Sequence, residues 1–295
     1  MSKDKKQTGI LMHRTSIAAV IAALFFIFIK GIAFICTDSV AVLSSLFDSI
    51  QDLLTSGISL IAIRQSIEPP DKEHRFGHGK AQGIGAMIQS FIIFTSALIL
   101  LKESVYRLFH PQPFGDITCG LIIMIITLII TILLVLLQRY TVRQTNALSV
   151  RADMAHYSGD ILMNTGVICT LIGNSQFGWY LLDGIFGIIV SFYLIISIYY
   201  IVHDSYAMLM DAEMPHAFRR DIRRLILSFK EVRKMTDLRT RLSGSCIFIQ
   251  LCIQLNPNYS LKKTHQITEM IEKEIKKKYP VSQVLIHVKP YEVKR

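Results

Sequence analysis

Residues 15–205 carry long apolar runs broken by short polar intervals, and from Asp211 onward the pattern changes to short alternating and amphipathic stretches. A bilayer core takes about 20 apolar residues of helix. Six segments have that length: roughly residues 15–36, 40–63, 83–107, 118–138, 147–172 and 181–203. The fourth is almost purely aliphatic from Ile117 through Leu137 and is expected to face lipid. Beyond them, 215–229 (PHAFRRDIRRLILSF) reads as a helix with an apolar side and an arginine side. Residues 232–240 and 245–255 read as strands around a Ser243-Gly244 turn. In the second, Cys246, Phe248, Gln250, Cys252 and Gln254 alternate with Ile247, Ile249, Leu251, Ile253 and Leu255. A basic amphipathic helix over 260–278 and a last strand over 281–288 complete an α-β-β-α-β order, which predicts a small α+β sandwich. The expected organisation is a lead at 1–14, a membrane domain at 15–205, a linker at 206–213 and a second domain at 214–295.

Composition agrees with a membrane class, since 51% hydrophobic residues over 295 positions is too apolar for an ordinary soluble domain. Basic residues then orient the helices, because cytoplasmic loops are enriched in Lys and Arg. The lead has Lys3, Lys5, Lys6 and Arg14, the second connection Arg64, Lys72, Arg75 and Lys80, and the fourth Arg139, Arg143 and Arg151. The opposite connections, Cys36 to Asp38, His110 to Asp116 and Gly173 to Gly178, are poorer in charge, and Lys102 and Arg107 can snorkel to the far interface. Both termini are therefore expected in the cytoplasm, with the chain in the inner membrane. The apolar run after the lead has no small-residue cleavage signature and reads as a retained first helix behind a cytosolic lead. Five cysteines without a CxxC pair argue against a disulfide scaffold. The net charge is +10, and from Asp211 on there are 18 Lys+Arg against 9 Asp+Glu. The strands there show no aromatic stacking platform for nucleic acid, so the excess reads as a solvated face near anionic lipid headgroups.

The candidate chemistry lies inside the apolar segments. An ionised carboxylate at the bilayer centre costs about 2.5–3.5 kcal/mol on insertion scales. The second segment holds two, Asp48 and Asp52 in LSSLFDSIQDLLTSG, and the fifth holds His156 and Asp160 in RADMAHYSGDILMN. A spacing of four puts each pair on one helical face, one turn apart. A single buried Asp can pair with a cation such as Lys30, and a single membrane His is commonly a packing residue. Two pairs matched in spacing and type point instead to a metal site. Three carboxylates and one imidazole suit four-coordinate Zn²⁺, with Fe²⁺, Co²⁺ and Cd²⁺ also compatible. His titrates near neutrality and every ligand must shed its proton to bind metal, so metal and H⁺ compete for the same atoms. His156 and at least one Asp are the expected proton carriers. A membrane hydrolase is disfavoured, since HExxH, a nucleophile and a separate general base are missing. No enzyme activity and no organic cofactor are expected.

DSIQD and HYSGD, with the intervening loop HRFGHGK and the later DLRTRLSG, resemble the cation diffusion facilitator family, in particular its bacterial zinc and ferrous-iron efflux transporters. The resemblance covers nearly the whole chain. It implies a six-helix membrane domain with a metallochaperone-like cytosolic domain, assembled as a homodimer. It also implies proton-coupled export by alternating access, with Asp48, Asp52, His156 and Asp160 as transport site. Asp71, His74 and His78 read on their own as a polar turn, but similar members bind a metal ion at the matching loop positions. Lys80 and Asp211 match a salt bridge that locks the dimer hinge. In the cytosolic domain, the positions matching a binuclear metal site read Thr236, Cys252, His265, His287 and Lys289. A protonated Lys is no ligand and repels cations, so that site is expected to be lost or weakened. An Mn²⁺-selective member of the family and a non-transporting membrane metal sensor are the alternative readings.

Overall fold

A computed structural model describes residues 3–37, 40–110, 118–177 and 182–292. The charge-poor connections at 38, 111–116 and 178 lie outside the described residues. Six long helices come first: α1 (Lys3–Thr37), α2 (Val40–Ser66), α3 (Ala81–Phe109), α4 (Thr118–Thr145), α5 (Leu148–Phe177) and α6 (Leu182–Leu209). Then follow α7 (His216–Leu227), β1 (Lys234–Ser243), β2 (Cys246–Leu255), α8 (Leu261–Lys278) and β3 (Ser282–Pro290). Among the described residues, five of the long helices are long and apolar enough to cross a membrane, and α5 is the exception. Its Arg151, Asp153, His156 and Asp160 lower its hydropathy, but neighbours enclose it. Ala152, Ala155 and Tyr157 are buried in apolar clusters shared with α1, α3, α4 and α6.

The helix starts and stops differ from the sequence expectation at two places. The basic lead from Lys3 is already helical, continuous with the first membrane segment. Likewise α6 runs on to Leu209, which shortens the linker to Met210–Pro215. Close packing comes from small residues, as membrane helices require in the absence of a hydrophobic drive between them. A side chain on Gly85 of α3 would put its Cβ 2.4 Å from that of Ala62 on α2, and one on Gly187 of α6 would lie 2.0 Å from Ser104 Oγ on α3.

Helix α4 corrects a second expectation. Ile129, Leu133 and Leu136 are exposed, as a lipid-facing helix predicts, but Thr127, Thr131, Gln138, Thr141 and Thr145 are buried. Their spacing of three, four and seven makes one polar stripe turned into the bundle. Thr141 uses it to bond Thr15 of α1 at 2.7 Å.

In the second domain β1 and β2 pair antiparallel and β2 and β3 parallel, in the order β1-β2-β3. Ile249, Leu251, Ile253 and Leu255 face Ile222 and Ile226 of α7 and Ile267, Ile271 and Ile275 of α8, forming the domain's core. The two-residue alternation therefore places Cys252, and the residues paired with it, on the opposite face. A bulge at Asp237, with φ 47°, shifts the β1 register between Thr236 and Leu238. The hairpin turn contains Gly244 at φ +59°, a left-handed conformation that favours glycine.

Candidate metal centre

Helices α2 and α5 bring Asp52, His156 and Asp160 together, with one ligand atom from each lying within 4.8 Å of the others. His156 Nε2 is 2.8 Å from Asp52 Oδ1, and the two residues are only 7% and 6% exposed. A contact this short between a ring nitrogen and a carboxylate oxygen needs a proton between them. Asp48 does not join the tight trio and its side chain is open. It sits one turn before Asp52, which means about 6 Å along the axis and about 40° around it. Lys30 reaches the same stretch of α2 from α1, donating to Ser45 O at 3.0 Å and Ser49 Oγ at 2.7 Å.

Behind the trio lies a polar network that the motif reading missed. Asp153, one turn before His156, is 1% exposed. Its Oδ1 accepts from Ser56 Oγ on α2 at 2.9 Å, and its Oδ2 accepts from Gln138 Nε2 on α4 at 2.8 Å. Ser56 Oγ is also 3.1 Å from the hydroxyl of the fully buried Tyr157. Three helices are thus tied at one level beside the ligands. The signal was present in RADMAHYSGD, where Asp153 is a second acidic residue at helical spacing from His156. Its partner Gln138 stood at the end of the aliphatic run.

The loop between α2 and α3 forms the second cluster. Atoms of Asp71, His74 and His78 lie within 4.8 Å of one another. Backbone N–H groups of His74 and Glu73 donate to Asp71 Oδ1 at 2.5 and 2.9 Å. Foremost the His74 N–H, then the other contacts, hold the Asp71 pKa below the usual carboxylate value despite some desolvation. His78 Nε2 is 3.3 Å from Asp71 Oδ2, the His74 and His78 rings lie tilted by 46° with centroids 4.5 Å apart, and His78 Nδ1 is buried with no hydrogen-bond partner. An ionised oxygen and two imidazoles with a spare ring nitrogen fit a divalent cation.

The loop also docks on the second domain. Lys80 Nζ lies 3.0 Å from Asp211 Oδ1 and donates to Leu209 O at 3.0 Å. Arg241 of β1, unassigned in the sequence reading, adds a 3.1 Å pair to Asp211 Oδ2. Its guanidinium is 5.0 Å from the Phe76 ring centre of the loop and 4.8 Å from that of Phe248 on β2. At Gly79 an added Cβ would lie 2.5 Å from Ser243 O, so the loop backbone rests directly on the hairpin. Partial burial of Asp211 disfavours its charged form, but Lys80 and Arg241 outweigh it and hold its pKa below 3.8. This contribution to stability is present above 3.8 and is lost as pH falls through the lower folded value.

In the second domain Thr236 pairs with Cys252, Cys252 with His287 and Gln254 with Lys289 across the sheet. His265 is an exposed residue of α8, the layer against the other face. Among the described residues, Cys252, His265 and His287 form no cluster that could hold a metal.

Comparison with known proteins covers both domains. Residues 16–210 match the cation efflux transmembrane domain, and residues 214–291 match the cytoplasmic domain of cation efflux proteins. The cation-efflux pump FieF of Salmonella arizonae is 39% identical over 285 residues, 97% of this chain and 95% of that protein. The FieF pump of Citrobacter koseri is 36% identical over the same shares. Among solved structures, the metal-bound C-terminal domain of the CzcD transporter from Thermotoga maritima is 29% identical, with a TM-score of 0.25. It covers 28% of this chain and 100% of that one.

Proposed function

Since the chain belongs to the cation efflux family, transporters and not enzymes, we propose that it exports Zn²⁺, or Fe²⁺, Co²⁺ or Cd²⁺, in exchange for protons through Asp48, Asp52, His156 and Asp160. The observation that carries this reading is the convergence of Asp52, His156 and Asp160 from two helices inside the apolar bundle. The hydrogen bond between His156 and Asp52 gives the exchange its chemistry. A metal ion takes the orbitals that the shared proton occupies, so loading expels that proton, and a returning proton re-forms the bond and weakens the metal's hold. Asp48 completes the donor set when α2 turns or shifts, an alternating-access step in a site that needs two arrangements. The basic lead and loops support a reading with both termini in the cytoplasm of an inner-membrane protein, and the second domain supports a homodimer.

Metal affinity is expected to rise with pH by about tenfold per unit for each proton displaced. Binding titrations of the purified protein at several pH values between the His and carboxylate ranges check this, and a flat profile would remove His156 from the exchange. In proteoliposomes holding a metal-sensitive dye, uptake driven by a pH gradient and run with Zn²⁺, Fe²⁺, Cd²⁺ and Mn²⁺ in parallel tests both transport and metal choice. Binding without uptake would select the sensor reading, and Mn²⁺ uptake alone the Mn²⁺-selective one.

The loop trio is assigned to a regulatory ion, held by Asp71, His74 and His78. Lys80 and Asp211, with Arg241, form the hinge lock. Cys252, His265 and His287 are assigned no pair of tightly bound ions, because the neighbouring Lys289 supplies a fixed positive charge where cations would sit. Titrating Zn²⁺ into residues 211–295 is expected to show none, and two tight ions per protomer would overturn that assignment.

A further inference from the structure

Helix α7 holds Arg219, Arg220, Arg223 and Arg224. Ile222 and Ile226 bury one side of it completely. On the other, Arg220, Arg223, Arg224, Leu227 and Ser228 follow the three- and four-residue spacing of a single stripe and line an open cleft of about 420 Å³. Among the described residues, no carboxylate lines that cleft. The helix's one acidic residue, Asp221, is turned to α8, where Lys278 Nζ and the Tyr279 hydroxyl each approach it to 2.6 Å. Arg219 is drawn aside by a 2.8 Å contact with His216 Nδ1. Three guanidinium groups thus share one shallow, exposed surface, where only Arg224 also feels the Asp221 carboxylate, and their mutual repulsion favours an added anion. Their planar donor forks match phosphate oxygens bidentately, as they do carboxylates.

Position selects the source of that phosphate. Only Met210–Pro215 separates α7 from α6, and six extended residues span at most about 20 Å. The strap is shorter still, because Glu213 Oε2 accepts from Thr240 N at 3.0 Å and Met214 N donates to Thr240 Oγ1 at 3.1 Å. The first turn of α7 is thereby tethered beneath the membrane face from which α6 emerges, and the arginine stripe begins one turn further on. Leu227, exposed at the cleft rim, offers an apolar contact beside the charges.

We propose that the Arg220–Arg223–Arg224 cleft binds the phosphodiester headgroup of an anionic membrane phospholipid and so fastens the cytosolic domain to the bilayer surface. The test uses the full chain with Ser228→Cys, reconstituted in nanodiscs of a zwitterionic lipid alone or with added phosphatidylglycerol. Maleimide modification at position 228 is followed by peptide mass mapping. Phosphatidylglycerol is expected to slow modification by about tenfold or more, and raised salt to reverse the effect. Adding R220Q, R223Q and R224Q together removes the protection, while modification in the zwitterionic discs keeps the rate of the single variant, which shows that the cleft is still formed. Equal rates in the two lipids, or protection that survives the triple substitution, would overturn the proposal. So would equal protection by millimolar inorganic phosphate in zwitterionic discs, which would make this a site for soluble anions.

Discussion

Asp52→Ala is expected to lower metal uptake in proteoliposomes by about a hundredfold or more while leaving the protein folded. Residues that only orient a metal ligand cost 10–100-fold when removed, so a direct donor sets that range as a floor. In the proposed exchange Asp52 is also the partner whose hydrogen bond with His156 the metal must break, so its loss is expected to remove metal binding and proton storage together. Stability, unlike that of many core substitutions, is expected to change little. The lost hydrogen bond costs about 1–3 kcal/mol, but a carboxylate buried in an apolar bundle carries a desolvation penalty of several kcal/mol that alanine relieves. The two effects nearly cancel, so the midpoint of thermal unfolding in detergent stays close to the native one. Near-native uptake by Asp52→Ala would sink the assignment of the transport site. A collapse of the folded protein would contradict the balance of terms.

Asp153→Ala and Asp153→Asn are expected to separate cleanly. Alanine leaves the Ser56 hydroxyl and the Gln138 amide without their acceptor in the bundle interior. At the roughly 0.6–1.7 kcal/mol measured for polar contacts between membrane helices, two lost bonds cost about 1–3 kcal/mol. The larger effect is on function, because Ser56 is one turn beyond Asp52, and Asp153 is one turn before His156. Freeing them loosens the ligands against one another, and metal affinity falls by about 10–100-fold. Asparagine keeps the shape. Its amide meets Gln138 donor to donor as drawn, but Gln138 Oε1 is buried without a partner, so a flip of the Gln138 amide restores the bond. Affinity within a few-fold of native for asparagine, with a large loss for alanine, identifies Asp153 as a positioning residue. Equal losses in both would mean that its negative charge itself is needed.

These two residues mark how far the sequence could be read. Six membrane segments and the α-β-β-α-β order followed from apolar run length and from the switch in period near Asp211, which are local properties. Asp52, His156 and Asp160 followed from spacing of four on two segments. Asp48 obeys the same spacing but remains outside the trio, because sequence gives the face of a helix and not its rotation against a neighbour. Gln138 and the buried threonines of α4 were hidden for a related reason. An aliphatic run with a few hydroxyls reads as lipid-facing until its neighbours show which stripe turns inward. Arg241 was invisible because its three contacts, Asp211, Phe76 and Phe248, come from the linker, the loop and another strand.

The polarity of α5 has a consequence for how the protein is made. Arg and Asp at a helix centre each cost about 2.5–3.5 kcal/mol on insertion from the translocon, and α5 carries Arg151, Asp153, His156 and Asp160 within ten residues. Alone, it would not partition into lipid. Among the described residues, its charged and polar groups find hydrogen-bond and ion-pair partners on segments synthesised before and after it: Asp52, Ser56 and Gln138 upstream, and Asp204, 2.5 Å from Arg151, downstream on α6. Insertion of α5 and α6 together, as a hairpin against helices already in place, is the expected route, and a chain ending before α6 is expected to leave α5 outside the membrane.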